Sequence, residues 1–189
     1  MNAVFLSASV PLPSRHERYH STVDVMAIRE AIKALVIDVI PRGVIVFGGH
    51  PAITPLVSTL MADFFPQNLD RAILYQSNEF EDRFPVEVQN FPTVRYTAKS
   101  EAGMQASLLE MRSTMISDHQ FNAGVFVGGM EGVVEECAIF QRTHPDALVL
   151  PLATTGAAAL EIFENGSFPP ELGRTISYST ILRRMIPFS

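Results

Sequence analysis

Two glycine-rich turns are the parts of this sequence best suited to chemistry, because each follows a short apolar run and precedes a helix-like stretch. The first is Gly48-Gly49-His50-Pro51, and the second is Gly128-Gly129-Met130-Glu131-Gly132. Glycine lets the backbone approach a ligand closely, and the first N–H groups of a helix lack intrahelical partners and attract anions. Two such turns in one chain predict a phosphate-bearing ligand, such as a nucleotide.

The side chains within and after these turns have alternative interpretations. His50 can donate to a phosphate, stack on a base or cap its own turn. A carboxylate beside a phosphate is unfavourable, so Glu131 suits a ribose hydroxyl better. Glu135 is a candidate general acid/base or ribose ligand, and the alternative is an ordinary carboxylate stabilised by the helix dipole. Neither turn matches GxGxxG or the Gly-Lys-Ser/Thr phosphate loop, which argues against a P-loop ATPase or a GxGxxG dinucleotide site.

Short polar loops follow other predicted strands and add to this pattern. The carboxyl ends of parallel strands share one edge of a sheet, where ligands of doubly wound folds bind. The candidate ligand-binding residues in these loops are Ser7, Ser9, Gln76, Ser77, Thr154, Thr155 and Gly156. Their convergence with the two glycine turns is a stronger signal than either turn alone. No GxSxG elbow is present, which argues against a serine hydrolase.

The elements that would position these loops alternate along the chain. Continuous apolar runs predict strands at residues 3–6, 44–47, 72–75, 123–127 and 147–151, and residues 94–96 are a candidate short edge strand. Helical periodicity lies between them, while the polar stretch that ends at His20 is predicted to be a surface loop. Uninterrupted apolar strands are typical of a parallel sheet buried on both faces. The sequence therefore predicts one α/β domain over residues 1–189, a Rossmann-like doubly wound sheet in a three-layer α/β/α sandwich.

Composition excludes several functional classes. A net charge of −6 disfavours nucleic-acid binding, and the short basic clusters at residues 15–18 and 183–184 are interpreted as solvated surface. No apolar stretch approaches a membrane span and no signal peptide is recognised, so we expect a cytoplasmic protein without membrane contact. The single cysteine, Cys137, is expected to be buried. No metal site and no cofactor are predicted. The 47% apolar content favours a homo-oligomer.

Four segments together resemble the SLOG superfamily, and the similarity spans nearly the whole chain. They are Phe5-Leu6-Ser7-Ala8-Ser9, Phe47-Gly48-Gly49-His50-Pro51 with Pro55-Leu56-Val57, Val127-Gly128-Gly129-Met130-Glu131-Gly132 with Glu135, and Leu150-Pro151-Leu152-Ala153-Thr154-Thr155-Gly156. The resemblance implies a Rossmann-like sheet that binds nucleotides or their derivatives. Some relatives are similar to sensors of Thoeris-type antiviral defence, which bind cyclic ADP-ribose-like signals made from NAD. Others, the LOG enzymes, cleave the N-glycosidic bond of a nucleoside monophosphate.

The LOG motif, Pro-Gly-Gly-x-Gly-Thr-x-x-Glu, is only partly present. The glycine pair and the final glutamate, Glu135, match, whereas Val127, Glu131 and Gly132 replace the proline, third glycine and threonine. Arg112 is the counterpart of the arginine that LOG enzymes carry on an earlier helix. These departures favour a sensor that binds its ligand without turnover, which would signal through a homo-oligomer or a separate effector protein.

Two alternatives to the sensor remain. The first is a LOG-like phosphoribohydrolase, in which Glu135 and Arg112 are the catalytic residues. The second is a structural subunit whose glycine turns are only turns, and this hypothesis predicts that Gly129→Val leaves stability unchanged.

Overall fold

Six parallel strands form the centre of the fold. The computed structural model describes residues 2–13 and 17–188. The strands are β1 (Asn2–Ser9), β2 (Gly43–Gly48), β3 (Ala72–Ser77), β4 (Thr93–Thr97), β5 (Ala123–Gly128) and β6 (Leu148–Pro151). They pair in the order β4-β3-β2-β1-β5-β6, and every pairing is parallel. The predicted Rossmann-like α/β sheet is therefore confirmed.

Helices cover both faces of this sheet. They are α1 (Glu17–His20), α2 (Val25–Val39), α3 (Ile53–Phe64), α4 (Met104–Ser117), α5 (Glu131–Thr143), α6 (Ala157–Asn165) and α7 (Tyr178–Met185). Side chains of α2, α3 and α7 pack with one face of the strands, and those of α4, α5 and α6 pack with the other. Two buried clusters on opposite faces make the three layers of the sandwich.

The sequence explains the individual elements. In β1, Val4, Phe5 and Leu6 are all buried, because a central strand has helices on both sides. The side chain of Asp24 accepts a hydrogen bond of 2.9 Å from the N–H of Ala27 and so caps α2. Cys137 is buried on α5, as predicted.

The winding direction of the chain changes at β1. This strand pairs with β2 on one side, where Leu6 lies opposite Phe47, and with β5 on the other, where Ser9 lies opposite Gly128. The connection from β1 to β2 and the connection from β5 to β6 therefore run in opposite directions along the sheet. The carboxyl ends of β1 and β5 form the topological switch point, where doubly wound sheets bind their ligands.

The segment between β1 and α2 differs from its prediction. Residues 17–20 form α1 instead of a loop, because Tyr19 buries its ring and Arg18 forms an ion pair with Glu161 of α6. Arg15 and His16 of the predicted basic cluster lie outside the described residues. Across residues 2–13 and 17–188, none of the helices has the length and apolar character needed to cross a membrane.

Candidate functional site

The second glycine turn closes the switch point between β1 and β5. Gly128 and Gly129 have φ angles of +54° and +93°, a conformation that favours glycine. The N–H of Gly128 donates to Thr155 Oγ1 at 2.8 Å, and the N–H of Gly129 donates to the carbonyl oxygen of Ser9 at 2.8 Å. Both N–H groups are therefore used within the protein and are not free to bind an anion.

Gly129 is needed by the turn itself. A Cβ at this position would overlap a methyl group of Val133 and lie 2.7 Å from the Val133 Cβ. Gly129→Val would therefore disturb the turn whether or not the turn binds a ligand. That substitution does not separate a binding protein from a structural subunit.

Arg112 of α4 lies across the first turn of α5 and joins two carboxylates. Its Nη1 forms an ion pair with Glu135, and its Nε donates to Glu136 Oε1 at 3.4 Å. Its Nη2 approaches Gly132 so closely that a Cβ there would lie 2.5 Å away. The Arg112 side chain is 12% exposed and that of Glu135 is 55% exposed. The structure thus brings together the two residues that the LOG resemblance paired.

Glu136 is the residue that sequence reasoning missed. Its side chain is 14% exposed, and its Oε2 accepts a hydrogen bond of 2.5 Å from Ser7 Oγ. Burial raises the pKa of the Glu136 carboxyl, while the charge of Arg112 and the Ser7 hydrogen bond act in the opposite direction. Helical spacing could have identified it, because Glu136 lies three residues after buried Val133 and so shares its inward face.

We expect Glu136→Gln to weaken the pH dependence of stability. A carboxyl whose pKa is raised in the folded state binds its proton more tightly there than in the unfolded chain. The free energy of unfolding therefore falls as pH rises from the ordinary value for glutamate, about 4.3, through the folded-state pKa. Urea denaturation from pH 4.5 to 8 measures this slope. The exposed Glu110→Gln variant is the control, and an equal slope in wild type and Glu136→Gln would contradict the assignment.

The first glycine turn is closed by its own contacts. The N–H of Gly49 donates to the Tyr75 carbonyl oxygen at 2.8 Å, and the N–H of His50 donates to Thr54 Oγ1 at 3.1 Å. The N–H of Ala52 donates to His50 Nδ1 at 3.2 Å, so His50 caps its turn. Burial lowers the pKa of His50 to about 4, which leaves a neutral ring with its proton on Nε2.

The loop after β6 supports the second glycine turn. Thr155 is buried beneath Gly128, and Thr154 Oγ1 donates to the Thr175 carbonyl oxygen at 2.9 Å. Gly156 has a φ of +73°, and a Cβ there would overlap the carbonyl oxygen of Thr22. Thr155 and Gly156 hold the segment before α2 at the edge of the sheet, since the N–H of Asp24 also donates to the Thr155 carbonyl oxygen at 3.1 Å. Thr154 instead holds the segment before α7.

The remaining predicted residues are distributed along the same edge. Ser77 Oγ accepts a hydrogen bond of 3.3 Å from the N–H of Glu79, and Gln76 lies buried beside Gly49. Met130 is half-buried, whereas Pro51 and Glu131 are exposed. The set of predicted residues therefore forms two groups, one at the β1–β5 crevice with Arg112 and one around β2 and β3.

Comparison with known proteins supports the resemblance seen in the sequence. Neither a curated protein nor a solved structure matches this chain. A family model described as the SLOG cluster3 family matches residues 18–186, a range that runs from α1 through α7. A SLOG assignment indicates a nucleotide-related binding domain or a LOG-like domain. Because the match covers most of the sequence, the chain belongs to the SLOG cluster3 family.

Proposed function

We propose that this protein is a sensor that binds a nucleotide-derived ligand, of the NAD-derived or ADP-ribose-like class, without hydrolysing it. The observation that carries the proposal is the Arg112 guanidinium at the N-terminus of α5, in the crevice between β1 and β5. Arginine offers several N–H donors in a planar fork that matches a phosphate. The helix N-terminus adds its dipole to the same position.

Charge balance supports a phosphate at this position. A cation beside a helix N-terminus is unfavourable unless an anion compensates it, and Glu135 and Glu136 provide that compensation here. Glu135 is more than half exposed, and such exposed ion pairs contribute only about 0.2–1 kcal/mol. A ligand phosphate can therefore replace Glu135 on Arg112 at little cost, while the buried Glu136 keeps the guanidinium in place.

The same contacts argue against turnover. Cleavage of an N-glycosidic bond through an oxocarbenium-like transition state needs an ionised carboxylate close to the anomeric carbon. Glu136 is buried, and its two carboxylate oxygens are occupied by Ser7 and Arg112. Glu135 is paired with Arg112 and turned towards solvent. Glu131 and Gly132 stand where LOG enzymes have glycine and threonine, which further supports binding without hydrolysis.

A thermal-shift panel tests the proposal directly. The ligands are AMP, ADP-ribose, cyclic ADP-ribose isomers, NAD and cyclic dinucleotides, and each mixture is then separated by reversed-phase chromatography. A ligand at 100 times its Kd stabilises the fold by about 2.7 kcal/mol, which raises the Tm by several degrees. A shift with the ligand recovered intact supports a sensor. Release of free base supports the LOG-like alternative, and no shift with any ligand overturns the proposal.

Glu135→Gln separates the two functions by the sign of its effect. In a sensor whose phosphate replaces Glu135, the substitution removes a competing anion, and affinity for ADP-ribose rises by roughly twofold to fivefold. Isothermal titration calorimetry measures the change, with the exposed Glu164→Gln variant as control. A fall in affinity, or loss of base release from a nucleotide, would instead assign Glu135 to ribose binding or catalysis.

A sensor must also transmit ligand binding to another molecule. We propose that ligand binding changes self-association or contact with a separate effector protein. Light scattering coupled to gel filtration, with and without the ligand that gives the largest thermal shift, measures the first of these directly.

A further inference from the structure

The side chain of Gln76 carries a buried amide nitrogen that the described residues leave without a hydrogen bond. Gln76 is the penultimate residue of β3, at the carboxyl edge of the sheet, and is 4% exposed. Its Nε2 makes no hydrogen bond with the described residues. A buried donor without an acceptor is costly, and such groups in folded proteins are rare enough to need an explanation.

The first glycine turn is shaped around this carboxamide. A Cβ at Gly49 would overlap the amide carbon, oxygen and nitrogen of Gln76, so the glycine makes room for the amide. The N–H groups of Gly49 and His50 already donate to Tyr75 and Thr54. Gln76 therefore supplies a donor that these two N–H groups cannot supply.

Two other buried side-chain atoms among the described residues also lack a hydrogen-bond partner, but neither shares this setting. They are Asp38 Oδ2 and Thr97 Oγ1. Asp38 lies on α2, and its other carboxylate oxygen binds Arg183 of α7. Neither residue is among the nearest neighbours of a glycine in the two turns. Of these three atoms, only Gln76 Nε2 is a nitrogen donor beside one of the two glycine turns at the carboxyl edge of the sheet.

The position of Gln76 sets a length for the ligand. Neighbouring strands lie about 4.8 Å apart, so the end of β3 is roughly 10 Å from β1 and 14 Å from β5. The strand order places β2 and β1 between Gln76 and the crevice beside Arg112. A single phosphate cannot reach both places, whereas a ligand with polar groups at both ends can.

We infer that Gln76 donates from Nε2 to an acceptor at the far end of a ligand whose phosphate lies at Arg112 and α5. This inference rests on the proposed function and narrows its ligand class to two-ended nucleotides. ADP-ribose fits this class, because a diphosphate joins its two ribosyl groups and each end carries oxygen acceptors. AMP has only one ribosyl phosphate and would occupy the Arg112 end.

Titration calorimetry with two probes tests the inference. Wild-type protein is titrated with ADP-ribose and with AMP, and the same is done with Gln76→Leu, which keeps side-chain bulk but removes the donor. We expect Gln76→Leu to weaken ADP-ribose binding about tenfold, the effect of one lost hydrogen bond in a buried site, and to change AMP binding less than twofold. Gln105→Leu, at an exposed position of α4, is the matched control.

The outcomes separate this inference from the function on which it rests. If wild type binds ADP-ribose and Gln76→Leu binds it equally well, Gln76 makes no ligand contact and only water satisfies its amide. If wild type binds neither ADP-ribose nor AMP but binds another ligand of the thermal-shift panel, the inference fails while the proposed function stands. If wild type binds no ligand of that panel, the proposed function itself fails. Circular dichroism and Tm confirm that the variant folds. Gln76→Glu also removes the Nε2 donor and adds a charge. We expect it, like Gln76→Leu, to weaken ADP-ribose binding much more than AMP binding.

Discussion

Arg112→Met is expected to reduce phosphate-dependent binding at least a hundredfold and to destabilise the fold at neutral pH. The variant keeps an unbranched apolar side chain but removes the guanidinium that joins Glu135, Glu136 and the first turn of α5. Removing one partner of a buried ion pair leaves the other charge uncompensated, at a cost of about 3 kcal/mol. Titration calorimetry with ADP-ribose and urea denaturation at pH 7 measure the two effects.

A second substitution separates these two roles of Arg112. In the Arg112→Met, Glu136→Gln double variant, no buried charge is left without a partner, so most of the lost stability returns while ligand binding stays lost. Arg142→Met, at an exposed position of α5, is the control for removing one arginine. Full ligand affinity in Arg112→Met would contradict the proposed site. Equal stability of the single and double variants would contradict the role assigned to Glu136.

Gly156→Ala is expected to cause the largest loss of stability from a single added methyl group. Gly156 has φ +73° and ψ −162°, a conformation essentially restricted to glycine. A Cβ there would overlap the Thr22 carbonyl oxygen and lie 2.6 Å from its carbonyl carbon, both backbone atoms. Backbone strain and overpacking each cost about 1–3 kcal/mol, so the free energy of unfolding should fall by about 3–5 kcal/mol.

Gly103→Ala is the matched control for this prediction. Gly103 precedes α4 with φ +96° and ψ −178°, close to the conformation of Gly156, but a Cβ there would meet no atom within 4 Å. The loss in the free energy of unfolding of Gly103→Ala therefore comes from backbone strain alone, and we expect about 1–3 kcal/mol. Urea denaturation of both variants separates strain from steric overlap. Equal losses in the two variants would show that the contact with Thr22 contributes nothing.

Local patterns in the sequence predict most of this fold. Continuous apolar runs located five of the six strands, because a strand buried on both faces has no polar side to break the pattern. The edge strand β4 contains exposed Arg95 and Tyr96 and was predicted only as a short edge strand. The Gly128–Gly129 turn could be predicted because glycine readily adopts the positive φ angles of tight turns, and both residues have positive φ in the structure. Pairing Arg112 with Glu135 depended on the family resemblance, since 23 residues separate them in the chain.

Other features depend on contacts that a local pattern does not contain. The burial of Tyr19, which turns a predicted loop into α1, depends on α6 far along the chain. The first glycine turn looked like a phosphate cradle, but its N–H groups bind Tyr75, Thr54 and His50 instead. Glu136 was overlooked in favour of Glu135 of the LOG motif, although its spacing from Val133 places it on the buried face of α5, and only the structure shows its contacts with Ser7 and Arg112.

The central position of β1 has a consequence for synthesis of the protein. One edge of β1 pairs with β2, which follows it closely in the chain. The other edge pairs with β5, which is synthesised much later; the hydrogen bond from the N–H of Ala3 to Asn122 Oδ1, just before β5, joins residues that are 119 positions apart. At typical translation rates the ribosome needs about 6 to 24 s to make that much chain. During this interval the nascent chain presents an apolar, unpaired strand edge, which is a template for aggregation. Chaperones that hold nascent chains should therefore affect the yield of this protein more than its final stability.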